Sequence, residues 1–352
     1  MDMNMDMYTN PARLMGFGVV GTGMIAGATA EAIFRSRNAR VAAVSSRRRE
    51  TAEEFAAKFP GAAAVEGLEA LLARTDVEAV YLAAPTAFRE AMALEILAAG
   101  KHLLIEKPFV SHASALRLVR AAEAKGVAFM DATHFVHHPR TAAIQKEGTE
   151  RIGTPRSLHT AFYFPLSDRS NIRFDLRQEP MTALGDMAWY SVRAAVEYLR
   201  PAGRIIQAAT VPEFDAATGA IVRASGLLAF EDGTVTTFDA GYTAGAVLMD
   251  LQLLGTRGVI GMDDFVLDWA NSRAFRNPDL PAGYFPRSGM VTRREQSFIP
   301  VPSDTPQDTL MIENFVELAR SRDTAVQTRH TDATLKSQEY LDALWAAVPA
   351  IG

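Results

Sequence analysis

The sequence predicts an α/β protein of two domains: a doubly wound parallel sheet, then an α+β domain with a large open, mostly antiparallel sheet. Three observations predict it. Up to about residue 132, apolar runs of strand length alternate with helix-periodic segments, the pattern of βαβ units. A glycine-rich turn joins the first strand to the first helix. Beyond residue 132 the segments lengthen into strand-like alternation joined by hairpin turns. The 352 residues also suit two domains better than one. The expected division is a disordered leader over 1–12, a nucleotide-binding domain over 13–132 and a second domain over 133–352.

In chain order, "RLMGFGVVG" reads as a strand and "MIAGATAEAIFRS" as a helix, with apolar residues three and four apart. "ARVAAVSS" and "ETAEEFAAKF" repeat the pair. "VEAVYLAAP", "KHLLIEKP" and "GVAFMDA" are further strands, separated by the helices "FREAMALEILAAG" and "SHASALRLVRAAEAKG". Near-continuous apolar strands belong to a sheet covered on both faces. In the second domain "RSLHTAFYFPL", "GAIVRASGLLAF", "GTVTTFDAGY" and "LMDLQLLGTRGVIGMDD" read as strands, with turns at "EDGT" and "GTRG". Helices are expected over roughly 184–199 and 307–321, and a long loop over "PAGYFPRSG", 281–289.

Hydrophobic residues make up 48% and charged residues 22%, an ordinary globular composition. A net charge of −5 argues against a nucleic-acid or anionic-membrane binder, which needs a basic face. The absence of cysteine excludes disulfides, thiolate catalysis and zinc–thiolate sites. "MDMNMDMYTNPA" has neither the basic nor the apolar region of a secretory signal, and no window approaches a membrane span. A cytoplasmic protein is expected.

"GVVGTGMIA" places Gly21-x-Gly23-x-x-Ala26 between a strand and a helix. The first glycine allows the tight turn and the second lets backbone approach a pyrophosphate, which sits over the helix N-terminus at Met24 and Ile25. An acid about 20 residues on would mark an NAD binder by bonding the ribose 2′-hydroxyl. Here that place reads Ser45-Ser46-Arg47-Arg48-Arg49. The Ser46 hydroxyl beside the Arg47 guanidinium suits a 2′-phosphate, so the expected cofactor is NADP(H).

"HLLIEKPF" ends a strand on two charges and a proline. In a doubly wound sheet ligands lie outside the carboxyl ends of the strands. Pro85-Thr86, with Arg89 close behind, and Glu106-Lys107-Pro108 both fall there. Pro108 disposes the chain to turn, and Lys107 is then held where a nicotinamide would lie, able to polarise a carbonyl. All six of these residues are assigned to the cofactor mouth.

"LGDMAWYSVRAAVEYL" reads as a helix on which Asp186, Tyr190, Arg193 and Glu197 share one face. A carboxylate and a phenol one turn apart can handle a substrate hydroxyl and its proton, and an ammonium such as Lys107 helps a phenol release that proton. His134 and His138 have a spacing that suits zinc on a helix, but no third ligand accompanies them, so no metal is expected. His138 is a candidate on the substrate side. Asn171 and Arg173, in the polar "SDRSNIRFD", either bond substrate hydroxyls or face solvent.

"GVVGTGMIA", "YLAAPTAFRE", "LIEKPF" and "GDMAWY", in this order, resemble the Gfo/Idh/MocA oxidoreductases, the glucose–fructose oxidoreductase and inositol dehydrogenase family. The resemblance runs from about Leu14 to the C-terminal helices. It implies an N-terminal Rossmann domain and a C-terminal open-sheet domain that forms the substrate floor and an oligomer interface, hence a homodimer or tetramer. It implies sugars, polyols and their keto forms as substrates, and Lys107 as an active-site residue. The family's Asp, followed four residues later by His or Tyr, corresponds to Asp186 and Tyr190 here. The tyrosine form is similar to NADP-dependent sugar ketoreductases, dihydrodiol dehydrogenases and glucose–fructose oxidoreductase. The chain departs from the family at Thr86, commonly asparagine, at Arg89, where the family has the histidine that follows that asparagine, and at Phe135-Val136, in place of an aromatic–arginine pair.

The reaction expected on these grounds is hydride transfer between the nicotinamide and a hydroxyl- or keto-bearing carbon of a sugar-like substrate. In reduction Tyr190 donates the proton and Lys107 polarises the carbonyl or lowers the tyrosine pKa; in oxidation either Tyr190 or Lys107 is the base, and Asp186 orients either a hydroxyl or Lys107. One alternative is oxidation of an aromatic trans-dihydrodiol, with Trp189, Phe162 and Phe164 near an apolar pocket. Another is a non-catalytic NADP-binding regulator, against which the presence of Lys107, Asp186 and Tyr190 speaks.

Overall fold

Six short strands whose side chains are largely apolar on both faces build the first sheet: β1 Met15–Val20, β2 Ala39–Ser46, β3 Ala63–Glu66, β4 Ala79–Leu82, β5 His102–Ile105 and β6 Phe129–Asp131. They belong to a computed structural model that describes residues 13–321 and 323–349. The leader expected over 1–12 falls outside the described residues. The order is β3-β2-β1-β4-β5-β6, and every pair is parallel. The strand order reverses between β1 and β4, so the crevice for a ligand lies outside their carboxyl ends. The connecting helices are α1 Met24–Arg35, α2 Arg49–Ala56, α3 Gly67–Leu72, α4 Thr86–Ala98 and α5 His112–Lys125. Only β3 and α3, four and six residues long, are too short and half-exposed to show a period.

The second sheet has eight strands in the order β14-β13-β12-β11-β7-β10-β9-β8. In chain order these are β7 Pro155–Tyr163, β8 Ile205–Phe214, β9 Ile221–Phe230, β10 Val235–Gly241, β11 Leu248–Gly255, β12 Val259–Met262, β13 Gly283–Arg287 and β14 Ile299–Pro300. All neighbours are antiparallel except β7 and β10. The loop expected over 281–289 therefore contains a strand. β13 pairs with β12 along Arg287 to Phe285, while β14 reaches only Gly283 and Tyr284. Pro286 thus sits where its other side carries no ladder, a position that tolerates proline.

The helix expected over 184–199 is divided. The short helices α6 Pro139–Ala143 and α7 Thr149–Ile152 precede the sheet, and α8 Thr182–Asp186 and α9 Ala188–Ala194 follow β7. Tyr190 N–H donates to Met187 O, three residues back, and the last turn, Ala195–Leu199, widens to a π-helix. α10 Gln307–Arg320 matches expectation, but α11 Thr324–Ala346 was not anticipated. Its sequence is rich in β-branched threonine and mixed in polarity, which blurs a helical stripe. Asp323 caps it by accepting from Ala325 N–H and Val326 N–H. Among the described residues no helix is long and apolar enough to cross a membrane.

Both terminal helices work across the domains. α10 lays Ile312, Phe315 and Val316 into the apolar cluster of β1 and β2, with the Phe17 and Phe315 rings 5.7 Å apart. α11 lies against α5, β6, α9 and β8. At that junction a buried Arg193 donates to Asp131 at the end of β6 (2.7 Å) and to Glu197 (3.0 Å), while Thr334 of α11 donates to Asp131. Arg193 and Glu197 are thus committed to this buried ionic cluster.

The segment after β6 buries two histidines, His134 and His138, each 3% exposed. Burial pushes His138 down to about 3, assisted by Arg140, and holds His134 well below the usual imidazole range. Both stay neutral in the folded chain, whereas the unfolded chain binds protons as pH falls through about 6.5. Their contribution to stability is complete above that pH and is lost as pH falls toward the folded values. Tm measured from pH 7.5 to 4.5 should be flat above about 6.5 and decline below it, each histidine contributing up to ~1.4 kcal/mol per pH unit. A Tm unchanged between pH 7 and 5 contradicts this.

Candidate active site

At the end of β1, Gly21 adopts φ +109°, which disfavours a side chain, and a Cβ there would stand 3.2 Å from Ala83 O. Its N–H donates to Ser45 O, tying the ends of β1 and β2 together. Gly23 precedes α1 in extended conformation with no side-chain cap, and no acid occupies the first turn. The amide groups at Met24 and Ile25 thus form an uncapped, positive helix end suited to phosphate. A cleft of about 430 Å³ opens beside it, lined by Thr22, Ser46, Arg47, Arg48 and Thr51. Arg47 and Arg48 are exposed and form no ion pair among the described residues; Arg49 is paired with Glu53. Glycine turn, helix end and guanidinium-lined cleft fit a dinucleotide with its adenosine end at β2.

The charges that end β5 are not paired with each other. The Glu106 carboxylate accepts from Tyr81 of β4 at 2.7 Å. The carbonyls of Glu106 and Pro108 accept from the buried Arg89 of α4, which also donates to Thr86 Oγ1. Thr86 in turn donates through N–H and hydroxyl to Glu179. Thr86 and Arg89, assigned to the cofactor mouth from sequence, are thus braces of the strand end, next to the N-cap Pro85. The Lys107–Pro108 peptide is cis. Gly185 lets α8 rest on this turn, since a Cβ there would fall 2.7 Å from Met181 Cβ and 3.1 Å from Pro108 Cγ.

Against that turn, Lys107 Nζ donates to Asp186 O (2.8 Å) and Asp186 Oδ1 (2.7 Å) and lies 4.7 Å from the centre of the Tyr190 ring. Burial opposes its charge, but Asp186 and Tyr190 outweigh burial and raise its pKa, so the group is an ammonium. Asp186 Oδ2 accepts from Arg173 Nε (2.5 Å) and Tyr242 Oη (3.1 Å). Although burial raises it, the charges of Arg173 and Lys107 hold this carboxyl far below the usual range. Arg173 is delivered by a short turn that Asn171 caps by accepting Arg173 N–H. Tyr242, just beyond β10, carries no sequence signal that marks it.

One turn after Asp186, Tyr190 Oη stands 3.3 Å from His134 Nε2. Phe162 meets the phenol ring edge-on at 5.2 Å. Trp189 is fully buried and donates to Thr133, and Phe162 is 4% exposed, so these aromatics are core rather than pocket wall. His134, read from sequence only as half of a zinc spacing, is the residue bonded to the phenol. Among the described residues no group of three or more metal-ligating side chains assembles. His138 accepts Arg140 N–H and caps α6. A charged ammonium beside a phenol, each fixed by a hydrogen-bonded partner, can polarise a carbonyl and exchange a proton with it.

Comparison with known proteins places the chain among oxidoreductases. Residues 15–133 match the model described as "Oxidoreductase family, NAD-binding Rossmann fold", and 145–261 match "GFO/IDH/MocA C-terminal domain". A dTDP-3,4-didehydro-2,6-dideoxy-alpha-D-glucose 3-reductase from Streptomyces violaceoruber is 30% identical over 352 residues, covering 96% of each chain. An enzyme of the same name from Streptomyces antibioticus is 29% identical over 92% of this chain and 94% of its own. The crystal structure of a 3-ketoreductase from Actinomadura kijaniata, in complex with NADP and TDP-benzene, superposes with a TM-score of 0.83 at 25% identity, covering 95% of this chain and 98% of that one.

Proposed function

Since the chain belongs to the GFO/IDH/MocA oxidoreductase family, we propose that it is an NADP(H)-dependent oxidoreductase acting on a hydroxyl- or keto-bearing carbon of a sugar or sugar-like substrate, free or nucleotide-linked. The observation that carries this reading is the buried Lys107 ammonium, tied to Asp186 and lying on the Tyr190 ring, at the carboxyl end of β5. The relatives named as reductases of a dTDP-linked sugar support the substrate class.

Gly21, Gly23, Met24 and Ile25 would hold the pyrophosphate, and Ser46 and Arg47 the 2′-phosphate. Pro85, Thr86, Arg89, Glu106, Lys107 and Pro108 shape the mouth at the strand ends. When bound, the cofactor supplies or removes a hydride; position and electrostatics come from the protein. An ammonium has three N–H donors. Two of Lys107's are taken by Asp186, which leaves one for the substrate oxygen. Tyr190 gives that oxygen its proton in reduction and receives it in oxidation. Both carboxylate oxygens of Asp186 are occupied, so of the two roles read from sequence we assign it the holding of Lys107. Asn171, Arg173 and His138 are proposed on the substrate side, where Asn171 has its amide nitrogen to offer a sugar hydroxyl.

We further propose a homo-oligomer, dimer or tetramer, built on the second sheet. Ile206 and Val211 of β8 stand 64% and 72% exposed and Leu248 of β11 39%, an apolar exposure that association would bury. Sedimentation velocity should show a dimer or tetramer that Val211→Lys weakens; a monomer at all concentrations would reject it.

Cofactor choice is tested by fluorescence titration. NADPH should bind at least about tenfold tighter than NADH, and Arg47→Ala should weaken NADPH far more than NADH. Equal affinities for both nucleotides remove the role given to Ser46 and Arg47.

The chemical reading is tested on a panel of free and nucleotide-linked sugars and ketosugars. Lys107→Ala and Tyr190→Phe should each lower kcat by about 10² or more, the scale of a positioned acid–base group, with NADPH affinity within about twofold. Full activity in either variant takes that residue out of the mechanism.

A further inference from the structure

We infer that His134 is a positioning residue for Tyr190: Gln307 holds it as the Nε2–H tautomer, so it donates to the phenolic oxygen and leaves the Tyr190 proton for the substrate. This rests on the reading of Tyr190 as the proton donor.

The direction of this relay follows from one carbonyl. Gln307, the first residue of α10, is 1% exposed. Its Nε2 lies 2.6 Å from Val266 O and 2.6 Å from His134 Nδ1. A backbone carbonyl can only accept, so the end of the amide that faces Val266 is the NH₂. The reverse orientation would press two acceptor oxygens together. With one hydrogen on Val266 O, the other faces His134 Nδ1, which must offer a lone pair. Gln307 Oε1 is buried without a partner. An unsatisfied buried acceptor is uncommon, and here it accompanies an amide anchored wholly through its nitrogen.

A neutral imidazole with an accepting Nδ1 carries its proton on Nε2. The ring is 3% exposed. Burial first, then the nearby Arg273 and Lys107 charges, keeps the second proton off. Nε2–H therefore points at Tyr190 Oη, 3.3 Å away. In the other tautomer the phenol would donate to His134, and its proton would be turned from the Lys107 side. Gln307 and His134 are 173 residues apart, so the α10 contact with the segment after β6 sets a hydrogen-bond direction at the reacting phenol.

The test uses the full chain labelled with ¹⁵N-histidine. Long-range ¹H–¹⁵N correlation at neutral pH, with His134 identified by its loss in His134→Gln, should show a protonated Nε2 and an unprotonated Nδ1. His134→Phe should lower kcat roughly tenfold, the scale of one lost hydrogen bond, with KM and NADPH affinity within about twofold. His134→Gln, whose amide can donate from a similar place, should restore most of kcat. In a Tyr190→Phe background His134→Phe should add nothing, because the two act as one unit. An Nδ1–H or doubly protonated ring in the wild-type protein overturns the inference, as does an equal His134→Phe effect with and without the Tyr190 hydroxyl. A Tyr190→Phe enzyme with undiminished kcat instead overturns the proton-donor reading itself, and the inference falls with it.

Discussion

A buried ammonium bonded to a half-buried carboxylate, Lys107 to Asp186, joins the two domains, and the local structure on both sides is shaped around it. Taking each charge out of water costs several kcal/mol, which is offset only when the remaining hydrogen-bonding positions are filled. Here nearly all are: Asp186 receives Lys107, Arg173 and Tyr242, and Lys107 finds both the Asp186 carboxylate and its carbonyl, keeping one N–H in reserve. Around the pair, Arg89 fixes the carbonyls on either side of Lys107, and the missing side chain of Gly185 lets α8 come down on Pro108. Without these contacts the ammonium would have water as its better partner.

A second buried ionic cluster repeats the device at the far end of α9. Arg193 spans Asp131 from the first sheet and Glu197 from its own chain segment, and α11 closes the cluster through Thr334. The segment bearing Tyr190 therefore has an ionic anchor at each end, Asp186 before it and Arg193 after it. Anchors of this kind are what a site needs if its reacting groups are to keep their geometry as substrate arrives.

The parts of this architecture that were legible in the sequence are those written locally. The strand–turn–helix at Gly21 and Gly23, the strand end at Lys107, and the one-turn spacing of Asp186 and Tyr190 each fit within a few residues. Tyr242, His134 and Gln307 gain their roles from contacts across 56, 56 and 173 residues, and no local pattern distinguishes them from ordinary polar residues. Arg193 and Glu197 were read only as face-mates of Asp186 and Tyr190; their ionic partner Asp131 lies 62 residues from Arg193 and carries no local signal. β13 was hidden because glycine and proline punctuate it, and pairing with β12 outweighs their preference. α11 was hidden because its stability comes from packing against both domains rather than from a clean apolar stripe.

The return of α10 to the first sheet bears on how the molecule is assembled. Phe17, Val19 and Val41 line one face of β1 and β2, and Met311, Ile312, Phe315 and Val316 complete that apolar cluster. Arg35, Arg37 and Asn38, at the end of α1 and in the turn after it, have partners in Asp308 and Glu313. Nearly 300 residues separate the two halves of this contact, including the entire second sheet. Synthesis from the N-terminus thus leaves the face of the first sheet that α1 and α2 share with α10 incompletely covered until α10 emerges, and the two domains complete their cores together although their strands form separate sheets.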